Sequence, residues 1–526
     1  EDGIRDVERS RGLGDVYKRQ VEGHTLLGQV QEYWQKEISK PALGEDIILY
    51  ISNLSSMIGL GASNRSSTGV ETLFAPNIQG GKMRSVAFID YFNYSRVRSD
   101  NNYVINSFAD TVFLPEYGSD DINGILLNYS RVYIPQLKLT EAHVNYIKEI
   151  IGYYQPNKPD PQRTLTVFKE LVTMMEKAVA KNGRFVMDKA TLKAASMKAA
   201  QVPDWIIQKD FSMLKALPGK IRSRFIGQDE ALNGVVRLSR IGYGGGRTDE
   251  KPVASIMFAG PTGTGKTYLS KLLSKGLGLK MITMDMTTYR SSVSMDRFLA
   301  VMTDNLTINP HAVYVFEEID KANVQVLDRL YFLLDEGIFY DRNQKPMYAR
   351  GCFVIMTTNA GANAILQEPF GFGKKDEDNS YERMKERLTQ EIERFFKPEF
   401  LGRLDEVVVF RQLTRENLKD IVDIELSKVR ERLSERGLKL TLSDDTKEFL
   451  IDKGGDLDYG ARPLRRSVEN YIEDPLSEEL LKGTFEGQNL ISVTVKEVGD
   501  QKQLDFDGSL VESDEDPELA AVGTCL

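Results

Sequence analysis

The stretch "VASIMFAGPTGTGKTYLSKLL", residues 253–273, constrains this chain more than any other. It contains G-x-x-x-x-G-K-T, from Gly260 to Thr267. An apolar run precedes the motif and a helical pattern follows it, which is the context in which the motif has physical meaning. Glycines at 260, 263 and 265 clear side chains from the turn, so that backbone N–H groups can wrap a phosphate. The helix N-terminus adds partial positive charge. Lys266 is then the cation for the β- and γ-phosphates, and the Thr267 hydroxyl is a magnesium ligand. Pro261, Thr262, Thr264 and Tyr268 complete the nucleotide-binding segment. From 253 to 410 the order strand, turn, helix, strand, helix, strand implies a parallel sheet covered by helices.

A phosphate loop needs carboxylates on a neighbouring strand. "HAVYVFEEIDKAN", residues 311–323, supplies Glu317 and Glu318 at the end of an apolar run. Such a strand usually ends in an aspartate that helps hold magnesium, followed by a glutamate that activates water. Here the first carboxylate is Glu317, one methylene longer. It keeps the charge and can still reach a magnesium-bound water, so hydrolysis is expected, at a rate that any misplacement from the added length would lower. The next apolar strand, "CFVIMTTNAG", ends in Asn359, a polar group suited to orienting water near the γ-phosphate.

Composition excludes several classes. With 526 residues, 41% hydrophobic and 28% charged, the chain is an ordinary globular one of several domains. A net charge of −9 gives it no nucleic-acid footprint. No apolar run is long enough for a bilayer span, so no membrane role is expected. Cys352 and Cys525 form no metal or redox pattern, which fits a reducing cytosol. His24, His143 and His311 are scattered and read as structural or surface residues.

The first twenty residues resemble translated adapter sequence, or a disordered tail, and are set apart as 1–20. Strands are expected at 47–52 and 85–90, with a Gly/Ser-rich loop between them. Helices are expected over 119–182, a helical linker over 183–216, and a large nucleotide-binding subdomain over 217–412. A smaller subdomain is expected over 413–498. It opens on an amphipathic helix at 414–437, in which Leu418, Val422, Leu426, Val429 and Leu433 share a face. Thr414 is its expected cap and Gly437 its stop. Residues 499–526 read as a mostly disordered acidic tail.

Together these pieces resemble the Clp family of AAA+ ATPases, the ClpA, ClpB and ClpC group. "RFIGQDEAL", "FAGPTGTGKT", "EEIDKAN", "VIMTTNAG", "FKPEFLGRLDEVVVF" and "YGARPLRRSVENYIEDPLSEELL" follow the family pattern in the same order, from about 217 to 498. The resemblance implies an α/β fold: a P-loop AAA+ three-layer αβα parallel sheet with a C-terminal helical lid. It implies that Ile226 packs near adenine and that Glu318 is the general base. Asn359 would be the first sensor, Arg403 the arginine finger reaching the ATP of the next subunit, and Arg462 the second sensor. Read without the family, Arg403 and Arg462 are surface salt bridges. ATP and magnesium are the implied cofactors, and a hexameric homo-oligomer acting on protein substrates in the cytoplasm is the implied assembly.

Residues 21–182 resemble the end of the family's first ATPase module in decayed form, with 119–182 as its helical lid. In "IILYISNLSSMIGLGA", Ser52 and Asn53 stand where the family carries two carboxylates. Asn106 and Ser107 stand where it carries an arginine pair. This half is expected to scaffold a ring without binding ATP. Between 289 and the Glu317 strand, the family's Gly-Tyr-Val-Gly pore loop is missing. Tyr289 does not replace it, and Met295 and Phe298 read as packing residues. Phe370-Gly371-Phe372 stands where protease-docking members carry an aliphatic-Gly-Phe tripeptide. An ATP-driven protein remodeller, feeding a Clp-type protease in one version, is the first reading. The alternative is a slow nucleotide switch or scaffold subunit that does not thread substrate.

Overall fold

The computed structural model describes residues 48–58, 71–89, 94, 97–98, 102–114, 117–181, 185–245, 250–342, 344–361, 377–454, 460–498 and 501–510. Two compact units divide at Tyr117/Gly118. In the first, β1 (Ile48–Ile51) and β2 (Arg84–Ala87) pair in parallel. Ile51, Leu54, Phe74, Ala75, Val97 and Val104 form its core. Ser52 and Asn53 are exposed just past β1, while Ser107 is buried, its hydroxyl donating to the Val104 carbonyl (2.7 Å).

The second unit is built on β3 (Ala254–Ala259), β4 (Lys280–Asp285), β5 (Ala312–Glu317), β8 (Phe353–Thr358) and β9 (Glu406–Val409). They form one parallel sheet in the order β4-β5-β8-β3-β9. β6 (Ile338–Tyr340) and β7 (Pro346–Tyr348) make a separate antiparallel hairpin. All six residues of β3 and all six of β8 are buried. That is why these strands read as continuous apolar runs: alternate side chains point to opposite faces, and both faces are covered. Met257, Tyr314, Phe316 and Met356 enter one core, which the helices Met295–Ile308 and Val324–Glu336 cover. Ile256, Phe258, Val313 and Ile355 enter the other, beneath Ser212–Arg222, Asp229–Tyr243 and Lys266–Leu277.

The smaller subdomain packs around the helix Arg415–Ser434, and all five residues expected on its face are buried. Thr414 caps it through a reciprocal box with Asn417. The chain leaves through Gly437 (φ +75°), and the Leu438 N–H returns to the Leu433 carbonyl (3.0 Å). Just before this helix, the Gln228 side chain grips both backbone groups of Arg411 (2.7 and 3.0 Å). β10 (Lys439–Leu442), β11 (Leu490–Val498) and β12 (Gln501–Ser509) close the subdomain. β12 runs through residues that the sequence assigns to a disordered tail. Its Leu504 and Phe506 pack on the subdomain core, and this apolar burial outweighs the acidic composition around them.

Residues 119–182 are helical as expected, and they lie in the second compact unit. The helices Ser119–Tyr133, Glu141–Tyr154, Gln162–Ala180 and Lys189–Ala199 share one core. Asn157 then ties them to the sheet-bearing part. Its amide donates to the carbonyls of Leu306 (3.0 Å) and Tyr348 (2.8 Å) and accepts from the Tyr348 N–H (2.7 Å). His311 Nε2 donates to the Tyr154 carbonyl (3.0 Å), and burial pushes its imidazole down to about 4. Phe370-Gly371-Phe372, the Gly/Ser-rich 59–69 loop and residues 1–20 lie outside the described residues. No helix among the described residues is long and apolar enough to cross a membrane.

Candidate nucleotide site

The carboxyl ends of β3, β5 and β8 open into a cavity of about 640 Å³. The loop after β3 forms its floor. Gly260 has φ +151°, and a Cβ there would lie 2.5 Å from the Phe410 carbonyl, so only glycine lets the loop turn against β9's continuation. Lys266 opens the following helix and is buried. Its ammonium donates to the carbonyls of Gly260 (2.7 Å) and Pro261 (2.8 Å) and to Asn359 Oδ1 (2.8 Å). Burial lowers its pKa to about 8, opposed by the charges of Asp320 and Glu318. A phosphate beside the same cation would offset that desolvation with its opposite charge.

Next to it, Thr267 Oγ1 donates to Glu317 Oε1 at 2.6 Å. Two hard oxygen donors at the edge of a phosphate loop fit magnesium, which takes oxygen ligands and keeps much of its own water. The longer side chain of Glu317 therefore still reaches the threonine. Glu318 holds a left-handed backbone (φ +53°, ψ +51°), and its N–H donates to Thr357 Oγ1 (3.2 Å). A non-glycine residue there stores roughly 1–3 kcal/mol of strain, a cost that tends to persist where a side chain must be aimed. Thr358 Oγ1 donates to Asp320 (2.8 Å), which anchors the turn after β5.

The smaller subdomain closes the other side. Gly460 (φ +61°) presses on the phosphate loop so closely that a Cβ would lie 2.6 Å from the Gly263 carbonyl. The Ala461 N–H donates to that carbonyl (3.0 Å). Arg462 follows and lines the cavity, as does Arg465. Ile226, Leu413, Ile421 and Ile424 give this end an apolar lining beside Tyr268.

Residues 251–407 match the family described as "AAA domain (Cdc48 subfamily)". Residues 413–493 match the "C-terminal, D2-small domain, of ClpB protein". Residues 251–493 form a Clp-family AAA+ module. Relatives extend the likeness. A ClpA homolog protein of Fuscovulum blasticum is 28% identical over 90% of this chain and 61% of its own length. The negative regulator of genetic competence ClpC/MecB of Bacillus subtilis is 32% identical over 60% of this chain and 41% of its own. The chaperone protein ClpB of Oceanobacillus iheyensis is 34% identical over 53% and 37%. The chain thus spans only part of the length of these relatives. A closed-state structure of Hsp104 with ATPγS and casein has the same fold (TM-score 0.56, 22% identity, 91% of this chain and 83% of that one).

Within this AAA+ module, the cavity brings together Ile226, Thr262, Gly263, Thr264, Gly265, Lys266, Thr267, Tyr268, Glu317, Glu318, Asn359 and Arg462. Gly260 and Pro261 meet the Lys266 ammonium from the loop behind. Arg403 is the exception. It lies outside the cavity lining, bonded to Asp335 (3.3 Å) and the Glu399 carbonyl (2.6 Å), its guanidinium over the Tyr331 ring. Sequence reasoning missed Asp285, Arg224, Glu425 and Arg465, which also line the cavity. Asp285 ends β4 in register with Glu317, so a search of strand ends would have found it. Ile421, Ile424 and Glu425 lie on the flank of a helix whose other face carries the obvious pattern, and no local signal marks them.

Proposed function

We propose that this AAA+ module binds ATP with magnesium in the cavity and hydrolyses it. The observation that carries the proposal is the convergence of Lys266, Thr267, Glu317, Glu318, Asn359 and Arg462 on one phosphate loop. Thr267 and Glu317 are the residues to hold magnesium, which would neutralise charge on the β- and γ-phosphates. On ATP binding, the Lys266 ammonium exchanges its carbonyl partners for phosphate oxygens. Glu318 accepts the proton of the attacking water, and Asn359 orients that water. Arg462 carries the smaller subdomain's charge to the γ-phosphate. Arg403, outside its own cavity, acts on the ATP of a neighbouring subunit, so the working form is a ring, a hexamer by family likeness. Work on protein substrates in the cytoplasm is the use we propose for the cycle.

One observation favours a second reading, a nucleotide switch that does not thread polypeptide. Tyr289 and Phe298, aromatics in the stretch where a substrate-gripping loop is expected, are buried in the core, and Met295 packs against it. The test is magnesium-dependent ATP turnover by the assembled chain beside Glu318→Gln. Turnover well above that variant, raised by an unfolded protein, supports the remodeller. Turnover that ignores unfolded protein supports the switch, and turnover no higher than the variant in a confirmed ring overturns hydrolysis.

A further inference from the structure

The cavity has two chemically different ends. Four carboxylates line it: Asp285, Glu317, Glu318 and Glu425. The first three stand at or just past the ends of β4 and β5, near the phosphate loop and Lys266. Glu425 stands alone at the other end, on the helix Arg415–Ser434, beside Ile424 and one turn from Ile421. Opposite it is Tyr268, the residue directly after Thr267, whose phenol feels both the Glu425 carboxylate and the Arg224 cation. A nucleotide held by its phosphates at Gly260–Thr267 must lay its base in this apolar slot.

Glu425 has no hydrogen-bond or ion-pair partner among the described residues. Arg465, whose cation feels the Glu425 charge, makes its hydrogen bond to Glu469 instead (2.9 Å). A half-buried carboxylate without a partner, facing an apolar slot, is an acceptor waiting for a donor. Adenine presents an exocyclic amino group, whereas guanine presents a carbonyl oxygen at the same ring position. We propose that Glu425 is the base-reading residue of this site: its carboxylate accepts from the adenine amino group and repels the guanine oxygen. The proposal rests on the cavity being a nucleotide site.

The test is calorimetric binding of ADP, GDP and purine riboside diphosphate, which lacks any group at that position, to the full chain and to Glu425→Gln and Glu425→Ala. In the parent, ADP should bind at least about tenfold tighter than GDP or the unsubstituted purine, the scale of one well-placed base contact. In Glu425→Gln the amide can donate to guanine, so the ADP/GDP ratio should fall to within about threefold through tighter GDP binding. In Glu425→Ala, ADP and the unsubstituted purine should bind alike. An ADP/GDP ratio unchanged in both variants, with the fold intact by circular dichroism, overturns the proposal. If the parent binds none of the three, the nucleotide site itself is refuted and not Glu425's part in it.

Discussion

Replacing Glu317 with aspartate would restore the residue usual at this position, and the geometry says it should weaken the site. Glu317 Oε1 sits 2.6 Å from the Thr267 hydroxyl, a short bond to a charged acceptor. Removing one methylene withdraws the carboxylate by about 1.5 Å, one carbon–carbon bond, to roughly 4 Å from that hydroxyl, beyond direct hydrogen bonding. A bond to a charged group contributes about 1.5–3 kcal/mol. A bridging water would recover part of it. The remaining loss of about 1–2 kcal/mol corresponds to roughly 5–30-fold. The assay is calorimetric ADP binding with magnesium and with a chelator. Glu317→Asp should bind 5–30-fold more weakly with magnesium and within about twofold without it, following the same conversion. Equal or tighter magnesium-dependent binding would refute the view that the glutamate's length is matched to Thr267.

Gly460→Ala would put a methyl group 2.6 Å from the Gly263 carbonyl at a positive φ. It should push the smaller subdomain off the loop and cost nucleotide affinity about tenfold, the equivalent of 1–2 kcal/mol of left-handed strain, read by calorimetry. Asn157→Ala removes three hydrogen bonds and strands backbone groups of Leu306 and Tyr348. At about 1 kcal/mol each it should cost roughly 2–4 kcal/mol and speed amide exchange in residues 141–202. His311 is held neutral by burial down to about 4, below its ordinary 6.5. The unfolded chain therefore takes up this proton first as pH falls. The stability His311 contributes is full above 6.5 and is lost between 6.5 and 4, by up to about 3 kcal/mol. Denaturant midpoints should fall across that window in the parent, and less so in His311→Gln.

The central sheet was legible because a parallel strand buried on both faces leaves an unbroken apolar run, as in β3 and β8. The phosphate loop was legible because its chemistry is local: glycines, Lys266 and Thr267 do their work within eight residues. The helix at Arg415–Ser434 was legible from five aliphatic residues and a threonine cap. What escaped depends on distant partners. Asn157 looks like an ordinary loop residue until Leu306 and Tyr348 come to it. Glu425 looks solvent-facing until the smaller subdomain folds over the loop. β12 escaped because aspartates alternate with Leu504 and Phe506, and composition alone cannot say that one face is covered.

The grip of Gln228 on Arg411 has a mechanical consequence. Both backbone groups of Arg411 are pinned to the sheet-bearing part, and the capping box at Thr414 begins the rigid helix three residues later. That helix cannot roll to free its flank, because Leu418, Val422, Leu426, Val429 and Leu433 are locked into the opposite core. Only Gln412 and Leu413 separate the two anchors, and Leu413 is itself buried in the smaller subdomain's core, so that core is tied to the sheet-bearing part through a connection with little slack. Because Leu413 also lines the cavity, a nucleotide would touch that connection itself.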